Sequence, residues 1–228
     1  MTDIILTPET VKILRNYSII NQSVKVTPGK VIRTLSNSNI VLSKADVEED
    51  FKTPWAVYDM PEFLSVIETF KNPVLAFSSK SVLVREQDEK KGVTYRFADP
   101  EIVHSTDKDL TMPVTEVNFI LSEEELTRLL KTAAVLRSPH FVIENADSRG
   151  AVKISVMDVD NPATNVYSTD IPADDVIEEK FRFIFKVENL LVIPGEYNIG
   201  ISSKLISHWL MGQLNYWIAL ETSSSFGQ

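Results

Sequence analysis

Leu6-Thr7-Pro8-Glu9 and, 115 residues later, Leu121-Ser122-Glu123-Glu124 each run an apolar residue into a hydroxyl and then into a helix-compatible, acidic stretch. Both read as helix starts. Thr7 is placed to cap the first, with Pro8 at the first helical position. Ser122 and Glu125 have the spacing of a capping box in the second. Three more matches follow in the same order. Tyr58-Asp59-Met60-Pro61-Glu62-Phe63-Leu64 matches Phe185-Lys186-Val187-Glu188-Asn189-Leu190-Leu191 in pattern at an offset of 127. Phe77-Ser78-Ser79-Lys80 parallels Ile201-Ser202-Ser203-Lys204 at 124, and Val93 to Ala98 parallels Leu214 to Ala219 at 121. Loop insertions would make the offset drift in this way. Four ordered matches predict a tandem of two related domains.

The composition agrees with folded domains. Of 228 residues, 43% are hydrophobic and 24% charged, which excludes disorder and leaves ample material for two cores. With 23 Lys+Arg against 32 Asp+Glu the net charge is −9, and there is no cysteine. Disulfides, thiolate zinc sites and cysteine nucleophiles are therefore excluded. No apolar run approaches the roughly 20 residues that span a bilayer, and the first residues lack a basic secretory region. A soluble, intracellular, acidic protein is expected.

Motifs for catalysis and cofactors are missing. His104, His140 and His208 form no ligand-spaced pair, so no zinc site is expected. Gly195 and Gly200 have the spacing of a phosphate loop, but Ile201-Ser202 follows where Lys-Ser/Thr is needed. Asp158-Val159-Asp160-Asn161 opens like a calcium loop, yet no Gly stands at the sixth loop position and Thr169 stands where Glu is required. A turn before Pro162 is the plainer reading. The carboxylate clusters at 48–50, 123–125 and 178–179 could house an acid/base pair, but the middle one suits a first helical turn. The chain reads as no enzyme, with no catalytic residue, cofactor or metal.

Most of each half alternates as strand, as in Val152/Ile154/Val156, Phe181/Phe183/Phe185/Val187 and Val93/Tyr95/Phe97. Helices are predicted over 8–20, 60–70, 123–135 and, briefly, 187–192. An α+β class follows, with domains at 1–99 and 117–228 and a connector at 100–116 that carries Pro100, Asp107-Lys108-Asp109 and Pro113. In the first helix Val11, Leu14 and Ser18 are read as buried, with Lys12, Arg15 and Asn16 outward. In the third, Leu126, Leu129, Leu130 and Ala133 make the buried stripe, and Arg128 and Lys131 lie opposite. Lys71 and Arg137 stand beyond helix ends. Locally basic helix faces in an acidic chain are either ordinary solvated faces or a surface offered to phosphates.

These residues resemble those of DNA sliding clamps of T-even-type bacteriophages. The stretch from Leu6 to Asn21 is similar to the opening helix of that clamp, and Asn215-Tyr216-Trp217-Ile218-Ala219-Leu220-Glu221 to its final strand. The likeness covers nearly the whole chain, with a divergent middle. It implies a head-to-tail homotrimer with two strand-rich domains in each subunit, each domain carrying two short helices, and helices lining a hole for duplex DNA held without sequence preference. On this comparison Lys12, Arg15, Lys71, Arg128, Lys131 and Arg137 contact DNA. The implied partners are the DNA polymerase, a clamp-loader ATPase complex and further copies of the chain, with no membrane, in the cytoplasm of the infected bacterial host. Phage late transcription is a further implied role. Met112, Pro113 and Val114 are candidates for a partner-docking pocket, or for linker packing. The rival readings are a structural phage protein and a single-stranded DNA binder, for which Tyr95-Arg96-Phe97 has the required interleaving, although Tyr95 and Phe97 share a face with Val93 that reads as core.

Overall fold

The computed structural model describes residues 2–227, and the chain divides into two compact units, Met1–Lys108 and Asp109–Gln228. The first unit runs β1 (Thr2–Ile4), α1 (Pro8–Ile20), β2 (Val24–Val26), β3 (Gly29–Leu35), β4 (Val41–Phe51), β5 (Trp55–Val57), α2 (Met60–Glu68), β6 (Pro73–Phe77), β7 (Ser81–Glu86) and β8 (Gly92–Arg96). Its main sheet has the antiparallel order β1-β6-β7-β8. Strand β2 pairs with β5, and β3 with β4.

The second unit runs β9 (Val117–Leu121), α3 (Glu123–Leu136), β10 (His140–Asn145), β11 (Ala151–Met157), β12 (Tyr167–Pro172), β13 (Phe181–Lys186), β14 (Tyr197–Ser202), β15 (Ile206–Met211), β16 (Leu214–Ala219) and β17 (Ser225–Phe226). Here β9, β14, β15 and β16 pair in that order. A second sheet has the order β12-β11-β10-β13-β17. The repeat is therefore topological. Strands β1, β6, β7 and β8 recur as β9, β14, β15 and β16, and three of the four sequence matches fall on the same feature in both units; the other falls on α2 in the first unit and on a 3-10 turn in the second.

Within each unit the sheets close over an aromatic core. In the first, Trp55 packs against Phe51, Phe63 and Phe77 at centroid distances of 5.6, 5.9 and 5.7 Å. In the second, Trp209 meets Phe141, Phe185 and Tyr197 at 6.4, 6.2 and 5.9 Å. Polar atoms of Trp209 and Tyr197 carried into the second core find partners, whereas Trp55 Nε1 in the first core is buried without one among the described residues. Trp209 donates to Ser207 Oγ (3.0 Å), which donates to the Ile218 carbonyl (2.9 Å), and the Tyr197 hydroxyl donates to the Ile193 carbonyl (2.6 Å). Among the described residues no helix is long and apolar enough to cross a membrane.

Four expectations are corrected. The first helix buries Thr10, Ile13, Leu14, Tyr17 and Ile20, so its stripe is rotated from the one read through Val11 and Ser18, which are half-buried. Leu130 is likewise only half-buried. The fourth helix is a single 3-10 turn, Val187–Asn189. Val192 and Ile193 are buried, and Pro194 disfavours a helical residue before it, so the segment leaves the turn extended. Lastly, Val93 is 41% exposed and Tyr95 and Phe97 are half-buried, because β8 is an edge strand with no neighbour to cover it.

Truncating Trp209 to Ala leaves a cavity at the meeting point of four aromatic rings. We expect a loss of about 3–5 kcal/mol, read as a lower denaturation midpoint in urea at unchanged slope.

Candidate nucleic-acid interface

Helix α1 begins where Thr7 Oγ1 accepts the Thr10 N–H (3.2 Å), and Pro8 occupies the first turn without wasting a donor. Its start is anchored from below. The buried Glu49 carboxylate of β4 accepts the Thr7 N–H at 2.5 Å and the Thr10 hydroxyl at 2.6 Å, which also answers the positive end of the helix dipole. With one face thus sealed, Lys12 and Arg15 are exposed. Arg15 pairs with Glu68 at the end of α2, whereas Lys12 makes no ion pair among the described residues. Lys71 follows α2. Its backbone N–H is held by Glu86 (2.6 Å), and its exposed ammonium has no ion-pair partner among the described residues.

Helix α3 starts on Ser122, whose Oγ accepts the Glu125 N–H at 3.3 Å. Only this half of the capping box forms among the described residues. The Glu125 carboxylate turns instead to Arg128 at 2.9 Å, and Glu124 reaches the same guanidinium at 2.7 Å. The Tyr167 hydroxyl of β12, then Glu125, holds Arg128 above the usual arginine pKa. Arg128 is thus occupied by its own helix and by Tyr167 of β12. Lys131, one turn on, is exposed and free of ion pairs among the described residues. Arg137 caps the C-terminus in the left-handed conformation (φ 55°, ψ 36°) with its side chain in solvent.

The six basic residues therefore fall into two groups. Arg15 and Arg128 are paired with neighbouring carboxylates, while Lys12, Lys71, Lys131 and Arg137 form no ion pair among the described residues. Sequence spacing placed all six correctly at helix faces and ends, but could not reveal which had partners.

A second surface lies on the outer face of the second unit's four-stranded sheet. Met112 and Pro113 border a cavity of about 320 Å³ with Phe119, Ile199, His208 and Leu210. Val114 is 82% exposed and does not line it. Asn118 ties the segment down: its Oδ1 accepts the Thr115 hydroxyl (2.8 Å) and its amide donates to the Thr115 carbonyl (3.3 Å). A side chain at Gly200 would meet Asn118 Oδ1 at 2.9 Å and Thr115 Cγ2 at 3.0 Å, so only glycine lets the connector lie this close. His208 stacks on Trp217 at 5.1 Å and bonds to Asn215 (2.9 Å), which stiffens the far wall. The sequence reading missed His208 and Leu210. The alternation of Ser207 and Trp209 inward could have placed both on this face.

Residues 118–222 match the family described as gp45 sliding clamp, C terminal. The chain is 30% identical over 220 residues to the sliding clamp of Vibrio phage KVP40, covering 95% of this chain and 98% of that protein. The chain belongs to the sliding-clamp family. It is also 23% identical to the sliding clamp of Escherichia phage RB69, over 96% of this chain and 98% of that one. The fold extends further than the sequence likeness. A structure of Archaeoglobus fulgidus PCNA bound to the C-terminal region of FEN-1 aligns with a TM-score of 0.72 at 14% identity, over 99% of this chain and all of that one. DNA polymerase III subunit beta from Pseudomonas aeruginosa aligns at 0.67 and 14% identity, over 97% of this chain and 65% of that chain.

Replacing Asn118 by Ala removes both bonds to Thr115. Hydrogen exchange at Glu116, whose N–H donates to the Ile201 carbonyl at 3.0 Å, is expected to accelerate several-fold, with the exchange of β15 unchanged.

Proposed function

We propose that this chain is a phage DNA sliding clamp: a non-enzymatic ring that encircles duplex DNA and tethers the replicative polymerase as a processivity factor. The observation that carries the reading is the pair of free lysines, Lys12 on α1 and Lys131 on α3, exposed on the corresponding helices of two repeated units in an acidic chain. A ring holds DNA by topology, so its inner surface needs only a weak positive potential that favours phosphates without fixing a register. Arg15 and Arg128 fit that requirement, because their carboxylate partners reduce the charge they offer. Lys71 and Arg137 extend the surface beyond the helix ends. Two tyrosines do not suggest catalysis either: burial, above all, pushes up the hydroxyls of half-buried Tyr95 and fully buried Tyr197, away from any role as a base.

Closure into a homotrimer would use sheet edges. Strand β8 ends one sheet of the first unit and β12 ends one of the second. The chain around β8 carries Lys90, Lys91 and Arg96, and that around β12 carries Asp170, Asp174 and Asp175. Pairing β8 of one copy with β12 of the next joins opposite charge and satisfies both rows of backbone groups, in a heterologous contact that can close a ring. The segment 100–116 would act as the connector between domains 1–99 and 117–228. The cavity beside Met112 and Pro113 would receive the polymerase and, in phage late transcription, a second partner. An ATP-driven loader would place the ring on DNA in the cytoplasm of the infected bacterial host.

The single-stranded binder is disfavoured by the contacts of its own motif. Phe97 packs on Trp55 and Phe77 at 6.3 and 6.1 Å, and Tyr95 on Phe63 at 5.0 Å, so neither ring is a free stacking platform.

Two measurements test the reading. Sedimentation equilibrium should give a concentration-dependent species near 77 kDa, three times the 25.7 kDa chain, and Arg96→Glu should shift it towards monomer. A monomer at every concentration would sink the ring. In primed-template replication, Lys12→Gln with Lys131→Gln should shorten polymerase runs several-fold at physiological salt while the trimer persists. Unchanged run lengths would remove these lysines from the DNA surface.

A further inference from the structure

The two units differ most where α2 of the first becomes a single turn in the second. In the first unit, extending the pairing of Val24 with Val57 by two residues sets Gln22 opposite Asp59. Those two side chains meet: Gln22 Nε2 donates to Asp59 Oδ2 at 3.0 Å, and Asp59 Oδ1 also caps α2 by accepting the Glu62 N–H at 2.9 Å. Carboxylate and amide answer each other.

In the second unit the same extension of the strand pair, Val142 opposite Ile184, sets His140 opposite Lys186. Lys186 stands where the repeat has Asp59, and the turn that follows has no side-chain cap. His140 accepts the Val159 N–H on Nδ1 at 3.2 Å, so the proton of the neutral ring sits on Nε2. Its side chain is only 10% exposed, and no partner for Nε2 occurs among the described residues. Two donors now face each other where a donor and an acceptor stood. A groove of about 470 Å³ opens at this place between the last turn of α3 and residues 186–188. Arg137 lines it with His140 and Lys186, over a floor that includes Ala133 and Pro139.

We infer that this groove is an anion site for a phosphodiester group of the DNA backbone, held by Arg137, His140 and Lys186. The inference rests on the DNA-encircling reading above and adds to it a seat with defined donors. Ala134 also lines the groove and lies one turn beyond Lys131 on α3, so the groove continues the lysine-bearing face. Three opposing charges bear on it. Glu188 lines the groove but pairs with neither cation among the described residues. Asp158 and Asp160 approach His140, with Asp158 4.0 Å from Nδ1, on the side of the ring taken by Val159. The C-terminus of α3 adds a partial negative charge, reduced because the Ser138 N–H bonds the Ala133 carbonyl at 2.9 Å. Within the groove's own lining Arg137 and Lys186 face the single carboxylate of Glu188, and the Nε2 N–H of His140 adds a donor, because Asp158 and Asp160 do not line it.

The test is the salt dependence of short-duplex binding by the intact trimer, measured by fluorescence anisotropy. Each phosphate contact contributes about 0.9 to the slope of log K against log salt. Lys186→Gln and Arg137→Gln should each lower that slope by about 0.9, with unchanged thermal unfolding. Lys186→Asp, which restores the arrangement of the first unit, should abolish the contact and keep the fold. Lys12→Gln is the control. If it lowers the slope and Lys186→Gln does not, the groove assignment is overturned while the DNA reading stands. If neither lowers it, the DNA-facing reading falls and takes the groove with it. Inorganic phosphate supplies a second readout: it should shift the His140 ring signals in the wild type and not in Lys186→Gln. A phosphate shift with unaltered duplex slopes would overturn the assignment to DNA in favour of a free anion.

Discussion

The cations of α1 and α3 proposed to meet DNA depend on each helix having its opposite side sealed into an apolar core. Tyr17, Leu14 and Ile13 on α1, and Leu126, Leu129 and Ala133 on α3, are buried. Burial of such side chains, at about 1.5–3 kcal/mol each for the larger ones, fixes the rotation of the helix about its axis. Once that rotation is set, residues such as Lys12 and Lys131 have only solvent to face. The buried carboxylate of Glu49 locks the start of α1 in the same way, since an unpaired charge at that depth would be costly and two donors on the helix start answer it.

Duplication then decides how charge is distributed. Both units use the same strand order, and both deliver one long amphipathic helix with its polar face outward. They differ in the carboxylates they set beside their arginines. In the first unit Arg15 is paired across to α2 through Glu68, and in the second Arg128 is paired within its own helix. The outcome is the same, a guanidinium whose field is partly cancelled, although the partners come from different places. A surface that must slide along phosphates benefits from cations that are weak individually, and exposed ion pairs of this kind contribute little to stability. Loss of α2 in the second unit opens room beside α3 and leaves donors unanswered there.

Much of this was legible in the order of residues. The hydroxyl caps, Pro8 at the first helical position and the alternating Phe181/Phe183/Phe185 are local signals, and local propensities carried them into the fold. The repeat was legible too, because equivalent turns keep equivalent residues, as at Ser78-Ser79-Lys80 and Ser202-Ser203-Lys204. Less accessible was anything set by a neighbour distant in the chain. Val93, Tyr95 and Phe97 alternate like a core strand, but β8 is an edge, and a sequence pattern carries no record of which strand stands last. The stripe of α1 was misjudged for a related reason: Thr10 is buried because Glu49, 39 residues away, accepts its hydroxyl.

The sequence by itself determined the tandem of two α+β units, the start of each long helix and the helix faces on which the basic residues stand. These follow from periodicity and capping, which operate over a few residues. Only the tertiary structure decided which of those charges are free. It also placed Met112 and Pro113 against His208 and Leu210, and set His140 opposite Lys186. Those outcomes depend on contacts between strands and helices far apart in the chain, and on the burial that fixes their register. No local pattern encodes the partner of a side chain that another element supplies.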